Sequence, residues 1–179
     1  SAGQRAGRAG RGGGGGGPAA GEGRIACAAK TTIVHATCVA RRGVGVLLMG
    51  DSGIGKSDLA LRLIHDGWSL VADDRTVLAV KRGLFTAAAP SSIAGLLEVR
   101  GLGIVALPAR PARLKLVVAL GREGPRLPQP ETWAPHGLKG APALPLVRLD
   151  GRHASDPAKV ALALTAFSRG LFRDTFVTK

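Results

Sequence analysis

Between an apolar strand pattern and an amphipathic helix pattern, this chain of 179 residues places Gly50-Asp51-Ser52-Gly53-Ile54-Gly55-Lys56-Ser57. The segment before it, Val44-Gly45-Val46-Leu47-Leu48-Met49, is a continuous apolar run, as in a strand buried on both faces. From Ser57 to Asp66, Leu59, Ala60, Leu63 and Ile64 recur at helical spacing, and Gly67 supplies a C-terminal cap. The central residues fit G-x-x-x-x-G-K-[ST] without mismatch, and each fixed position has a physical reason. Glycines let backbone N–H groups turn inward around phosphate oxygens, and the helix start adds its own free N–H groups. Lys56 then bridges the β- and γ-phosphates, and the Ser57 hydroxyl is a magnesium ligand. A chance match competes with this reading, because the chain has 27 glycines. The strand before and the helix after are the context that tells the two apart.

The remaining elements follow from patterning. Thr32 to Val39 reads as a strand rich in β-branched residues, and Arg41-Arg42-Gly43 turns it into the central strand. Trp68 to Ala72 is a short apolar strand ending in Asp73-Asp74. Val77 to Val80 and Leu84 to Ala88 flank Lys81-Arg82-Gly83 as a hairpin. Ser91 to Leu97, after Pro90, suggests a short helix, and Leu114 to Leu120 a buried strand. Gly121 to Pro145 is Pro-rich and aperiodic, hence loop; Asp156 caps a last helix with Pro157 in its first turn, running to about Arg169. This order predicts an α/β fold, a mixed sheet with flanking helices. Residues 1 to 23, with an unbroken glycine run from Gly12 to Gly17, are expected to be a disordered Gly/Arg-rich tail before one catalytic domain over 24–179.

The net charge of +13 raises a nucleic-acid partner, but two Trp and four Phe build no stacking platform and the basic residues are scattered singly. Neither a nucleic acid nor a membrane is expected as a partner. No apolar run approaches the roughly 18 residues of a membrane span, and no secretory pattern opens the chain. Cys27 and Cys38 suggest neither a zinc site nor a disulfide framework. A cytoplasmic setting is the plain expectation.

The acidic pair Asp73-Asp74 ends a strand one helix crossover after the loop. If the strands run parallel, it lies beside the phosphates, where an aspartate organises magnesium or accepts a proton from an attacking hydroxyl. A solvated turn is the alternative. Three segments together, Gly50 to Ser57, Ala72-Asp73-Asp74-Arg75 and Leu97-Glu98-Val99-Arg100-Gly101-Leu102-Gly103-Ile104, resemble the catalytic domain of the HPr kinase/phosphorylase family, over about Thr31 to Ile104. The resemblance implies a P-loop fold of the phosphoenolpyruvate carboxykinase-like kind and an ATP- and Mg2+-dependent serine kinase. The substrate it implies is the phosphocarrier HPr, with phosphorolysis as the reverse activity. By the same resemblance, Lys56 and Ser57 hold phosphates and magnesium, and the catalytic aspartate is Asp73 or Asp74. Glu98 is the second magnesium contact, His35 an active-site histidine, and Val99, Arg100, Gly101, Leu102, Gly103 and Ile104 a segment used in both directions. Family members are commonly hexamers, so a homo-oligomer is implied. Read alone, His35 is more often a satisfied structural strand histidine, and Glu98 an ordinary strand-end carboxylate.

The chain also departs from that pattern. After Ile104 the family has a long flexible loop carrying a catalytic arginine; here Val105 to Arg113 is short and holds Pro108, Ala109 and Pro111. Neither Arg110 nor Arg113 is assigned that role. Three rivals therefore stand beside the HPr kinase reading: a kinase for another substrate, an ATP-binding sensor without phosphotransfer, and a nucleic-acid binder.

Overall fold

The computed structural model describes residues 30–81 and 83–172. The tail over 1–23, Cys27 and Arg82 of the hairpin turn lie outside them. The chain runs β1 (Lys30–His35), β2 (Thr37–Arg41), β3 (Val44–Met49), α1 (Lys56–His65), β4 (Ser69–Ala72), β5 (Arg75–Lys81), β6 (Leu84–Ala88), β7 (Leu96–Val99), β8 (Gly103–Ala106), β9 (Ala112–Leu120), β10 (Glu131–Trp133), β11 (Leu144–Leu149) and α2 (Asp156–Arg169). The expected mixed α/β architecture is present: β3 pairs parallel with β9, β9 with β11, and the other ladders are antiparallel.

The main sheet curls onto itself. Its strand order is β1-β5-β6-β9-β3-β2-β4, with β11 and β10 branching from β9. Yet β1 and β2 are separated by Ala36 alone, and β4 and β5 by Asp73-Asp74. The two long segments form one bent antiparallel ladder: His35 pairs Arg75, Ala36 N–H donates to Asp74 O at 3.1 Å, and Cys38 pairs Ala72. Half of this ladder serves each end of the strand order, so the sheet closes along a seam.

Burial explains the apolar runs. Leu47 of β3 and Val117 of β9 face the inside of the curl with Cys38, Leu78 and Leu114. Their neighbours Val46, Leu48, Leu116 and Val118 face outward and are covered by Leu59 and Leu63 of α1 and Val160 and Leu164 of α2. A strand covered on both faces carries no polar alternation, which is why Val44 to Met49 reads continuously apolar. Leu59 and Leu63 are fully buried, about 1.5–3 kcal/mol each in hydrophobic terms.

Several boundaries differ from the sequence reading. The strand expected over Thr32 to Val39 breaks at Ala36. Ser91 to Leu97 is not a helix: a 3-10 turn covers Ser91–Ile93 only, and Leu96 already belongs to β7. Gly95, at φ +80, admits the Leu107 carbonyl to 2.6 Å from where a Cβ would sit, and Leu107 N–H bonds back to Gly95 O at 2.7 Å. That close approach closes the open end of the β7–β8 hairpin, in which Leu97 and Val99 alternate inward. The span Gly121 to Pro145 is not all loop, since it contains β10 and the start of β11. Ser155, not Asp156, holds the cap position of α2; the Asp156 carboxylate instead accepts Gly151 N–H (2.9 Å) and His153 N–H (3.0 Å) from the preceding loop. Helix α1 starts at Lys56, and Gly67 follows its end at φ +85 as its capping role requires.

Candidate active site

Strands β3 and β4 flank β2, each antiparallel to it, so both run the same way and end on the same edge. That edge gathers the phosphate loop and the acidic pair. In the loop, Gly50, Gly53 and Gly55 have φ of +147, +78 and +110. At Gly50 a Cβ would stand 2.9 Å from both Ile54 Cγ2 and Leu120 O, so the first position admits no side chain. Ile54 packs into the outer core and anchors the loop; Asp51 and Ser52 stay exposed at its tip. Lys56 is buried, with Nζ donating to Gly50 O (2.8 Å) and Asp51 O (2.9 Å). Its ammonium is therefore held against the carbonyls of the loop's first two residues.

The seam divides the two aspartates. Arg75 N–H donates to Asp73 O at 2.7 Å across Asp74, whose φ is +61: a γ-turn with a left-handed central residue, a strained arrangement for a non-glycine. This turn sends the two carboxylates to different partners. Asp73 is buried; its Oδ1 accepts from Ser57 Oγ (2.9 Å) and Thr37 Oγ1 (2.8 Å), and its Oδ2 from Glu98 N–H (3.1 Å). No cationic side chain pairs with it among the described residues. Asp74 is exposed and lies 3.1 Å from His35 Nδ1.

The histidine's protons follow from its neighbours. Lys56 Nζ lies 3.3 Å from His35 Nε2, and an ammonium can only donate. Nε2 is then the acceptor, so the neutral ring carries its hydrogen on Nδ1 and donates it to Asp74. A chain of Asp74, His35 and Lys56 thus links the exposed carboxylate to the phosphate loop.

The other expected residues sit close by with different roles. Glu98 joins the site through its backbone N–H, while its own carboxylate lies on the exposed face of β7. Val99 is buried, Arg100 and Gly101 make the hairpin turn with Leu102 N–H bonded to Val99 O (3.0 Å), and Gly103 and Ile104 begin β8. Leu102 and Ile104, 78% and 71% exposed, lead the described large apolar side chains in exposure. Arg113 pairs opposite Val44, the first residue of β3, at the sheet end away from the loop. Arg110 N–H bonds Leu70 O (3.4 Å), beside the beginning of β4 rather than its acidic end. Thr37 was not singled out from the sequence; its one signal is a hydroxyl in an otherwise apolar strand core.

Every candidate residue lies between His35 and Ile104. Residues 26–110 match the family described as HPr Serine kinase C-terminal domain. That match spans just under half of the chain. The HPr kinase/phosphorylase of Bordetella pertussis (strain Tohama I) is 44% identical over 103 residues, which are 52% of this chain and 33% of the relative. The HPr kinase/phosphorylase of Clostridium tetani is 44% identical over 81 residues, 45% of this chain and 27% of the relative. The chain thus spans about a third of the length of the curated relatives it matches. The Hpr(Ser) kinase/phosphatase structure from Coxiella burnetii aligns with TM-score 0.63 at 22% identity, covering 78% of this chain and 98% of that one, and shows the shared fold. The matched segment therefore carries the whole candidate site, while β9 to α2 lie beyond the family match.

Proposed function

We propose that this chain transfers the γ-phosphoryl group of ATP to a serine hydroxyl of an HPr-like phosphocarrier protein. The observation that carries the reading is the convergence, on one sheet edge, of the phosphate loop, a buried carboxylate bonded to the loop serine, and an exposed carboxylate bonded to a histidine. Phosphoryl transfer asks the protein mainly for positioning and charge neutralisation. Lys56 Nζ would exchange the Gly50 and Asp51 carbonyls for phosphate oxygens. Asp73 has three hydrogen bonds on a buried carboxylate, which leaves little capacity for proton transfer. Asp74 is the base: it is exposed to an incoming hydroxyl and oriented by His35.

The residues present fit a magnesium ion. Asp73 is a buried carboxylate without a counter-ion, and the Ser57 oxygen is 2.9 Å from it. No group of three or more His, Cys, Asp or Glu among the described residues could hold a metal alone, as suits an ion held by few protein oxygens plus phosphates. When bound, magnesium neutralises charge on the β- and γ-phosphates. Ser57 and Asp73 would hold it, and Glu98 is the residue available to join them from the hairpin.

A second reading has its own observation. The segment after Ile104, where the family loop carries its arginine, is pinned by Leu107 N–H to Gly95 O and by the Leu70–Ala109 bridge. That favours an ATP sensor without turnover. A cytoplasmic, homo-oligomeric protein, hexameric by family resemblance, completes the proposal and is checked by sedimentation. The deciding experiment is transfer of labelled phosphate from γ-labelled ATP to purified HPr by the native chain and by Lys56→Ala. Lys56-dependent phosphoserine supports the kinase; ATP binding without labelled HPr selects the sensor or another substrate. Added inorganic phosphate then tests reversal.

A further inference from the structure

Strand threonines that are buried usually satisfy their hydroxyl on a nearby carbonyl, and Thr76 does so, donating to Ala36 O at 2.8 Å. Thr37, equally buried, does not. It sits where the bent ladder opens: Ala36 N–H bonds Asp74 O on one side, Cys38 pairs Ala72 on the other, and Thr37 faces Asp73 between them. Residues opposite one another in an antiparallel pair share a face, so the hydroxyl is delivered to the carboxylate by the register itself. Thr37 Oγ1 donates to Asp73 Oδ1 at 2.8 Å, the same oxygen that accepts from Ser57 Oγ at 2.9 Å. Glu98 N–H fixes the other oxygen at 3.1 Å.

The three donors come from three elements: β2, the start of α1, and β7. Two of them are already tied to the site's chemistry, Ser57 through the phosphate loop and Glu98 through its own carboxylate. The Thr37 hydroxyl has no other hydrogen-bond partner among the described residues. Without it, Oδ1 would be held by Ser57 alone, and only the Glu98 N–H on Oδ2 would fix the carboxylate independently of the loop serine. With it, Oδ1 and Oδ2 each have a donor that is independent of the loop serine.

We propose that Thr37 is a positioning residue that orients Asp73 for cation binding at the phosphate loop. This rests on the reading of the loop as an ATP and magnesium site. Hydrogen-bond partners behind a metal-holding carboxylate are worth about 10–100-fold in metal affinity. The test uses Mn2+ as the metal and the β,γ-imido analogue of ATP as the nucleotide, with free Mn2+ followed by electron paramagnetic resonance. The native chain should bind the analogue, and Mn2+ should bind to that complex. Thr37→Val, which keeps the shape and removes the donor, should weaken Mn2+ at least about tenfold while leaving metal-free analogue binding within about twofold. Thr37→Ser, which restores the donor, should return Mn2+ affinity to within about twofold of native. Thr37→Ala replaces Thr37→Val in this comparison should the valine chain not fold.

Native Mn2+ affinity in Thr37→Val overturns the proposal. So does equal weakening in Thr37→Val and Thr37→Ser, since the restored hydroxyl would then have recovered nothing and the effect would belong to the packing of the side chain. Loss of metal-free analogue binding in Thr37→Val would assign it to a distorted loop. Unfolding of both the Val and Ala chains beside a folded Thr37→Ser chain would make the hydroxyl a stability element. A native chain that binds neither analogue nor Mn2+ overturns the ATP-site reading itself, and this inference with it. That result is distinct from a native chain that binds both while Thr37→Val matches it.

Discussion

Two buried carboxylates, one in each half of the chain, are held in opposite ways. Asp156, fully buried at the start of α2, gives Oδ2 to the backbone N–H groups of Gly151 and His153, and Oδ1 stands 3.2 Å from Lys159 Nζ. That last contact is out of line for a hydrogen bond and is ionic only. Arg62 closes the same loop from α1, donating to the carbonyls of Gly151 and His153. Asp156 is thus a clasp between α1, the 151–153 loop and α2, complete within the chain. Asp73 has hydroxyl and N–H donors but no cation. A buried charge with its counter-ion in place is stabilised within the fold; one without carries an uncompensated desolvation cost. One carboxylate is completed by a lysine of its own helix, and the other is held by neutral donors alone.

The largest effect should come from the exposed member of the acidic pair. Asp74→Asn keeps the shape and the histidine contact but cannot take a proton. Phosphotransfer should fall about 10²- to 10⁴-fold with nucleotide binding intact. Full activity in Asp74→Asn, with activity lost in Asp73→Asn, would exchange the roles assigned to the two residues.

Next comes the clasp. Asp156→Ala leaves two backbone N–H groups without partners and removes the counter-ion of Lys159, so denaturant unfolding should show a loss of about 3 kcal/mol. Nucleotide affinity of the folded protein should not change. Asp73→Asn should behave oppositely, abolishing metal-supported binding at little cost in stability, because it removes an uncompensated charge. Equal destabilisation by both substitutions would dissolve the contrast.

A smaller effect tests the strain at the seam. Asp74 holds φ +61 in its γ-turn, a region that costs an ordinary residue about 1–2 kcal/mol, somewhat less for aspartate. Asp74→Gly should therefore raise stability by up to about 1 kcal/mol in the same unfolding experiment while phosphotransfer disappears. A destabilised glycine variant would mean that the His35 contact outweighs the backbone strain.

How much of this was legible in the sequence depends on whether the cause was local. The unit of β3, phosphate loop and α1 was readable because each piece declares itself within a few residues: an apolar run, glycines at fixed spacing, a helical repeat. The hairpin of β5 and β6 was readable for the same reason. The break at Ala36 was not. Thr32 to Val39 is β-branched or apolar nearly throughout, and the bend is imposed by the γ-turn at Asp74 on the partner segment, more than thirty residues away in sequence. The acidic pair was legible as a pair, but the split between a buried Asp73 and an exposed Asp74 depends on the cross-strand register. Ser91 to Leu97 misled because Pro90 suits a helix start; the decisive contact, Gly95 against Leu107 O, is made with a segment further along the chain. Glu98 was found for its carboxylate, yet it meets Asp73 by its N–H, which no residue type announces.

The smallest expected effect lies furthest from the seam. Arg148 holds Glu131 across β11 and β10 by paired hydrogen bonds of 2.8 to 3.2 Å, and that partnership pulls the Glu131 carboxyl below its ordinary range. A lowered folded-state value means the contribution is present at neutral pH, above the unfolded carboxylate's titration, and is lost as pH falls through the folded one. Both groups are solvent-exposed, so water and salt screen most of it. A double-mutant cycle of Glu131→Gln and Arg148→Ala should give a coupling energy near the detection limit at neutral pH, and none in acid or high salt. A coupling as large as the loss in Asp156→Ala would show that the β10–β11 ribbon is braced by charge. The helical side would then share the seam's dependence on polar partners, and the division between the two halves would have to be redrawn around buried charge alone.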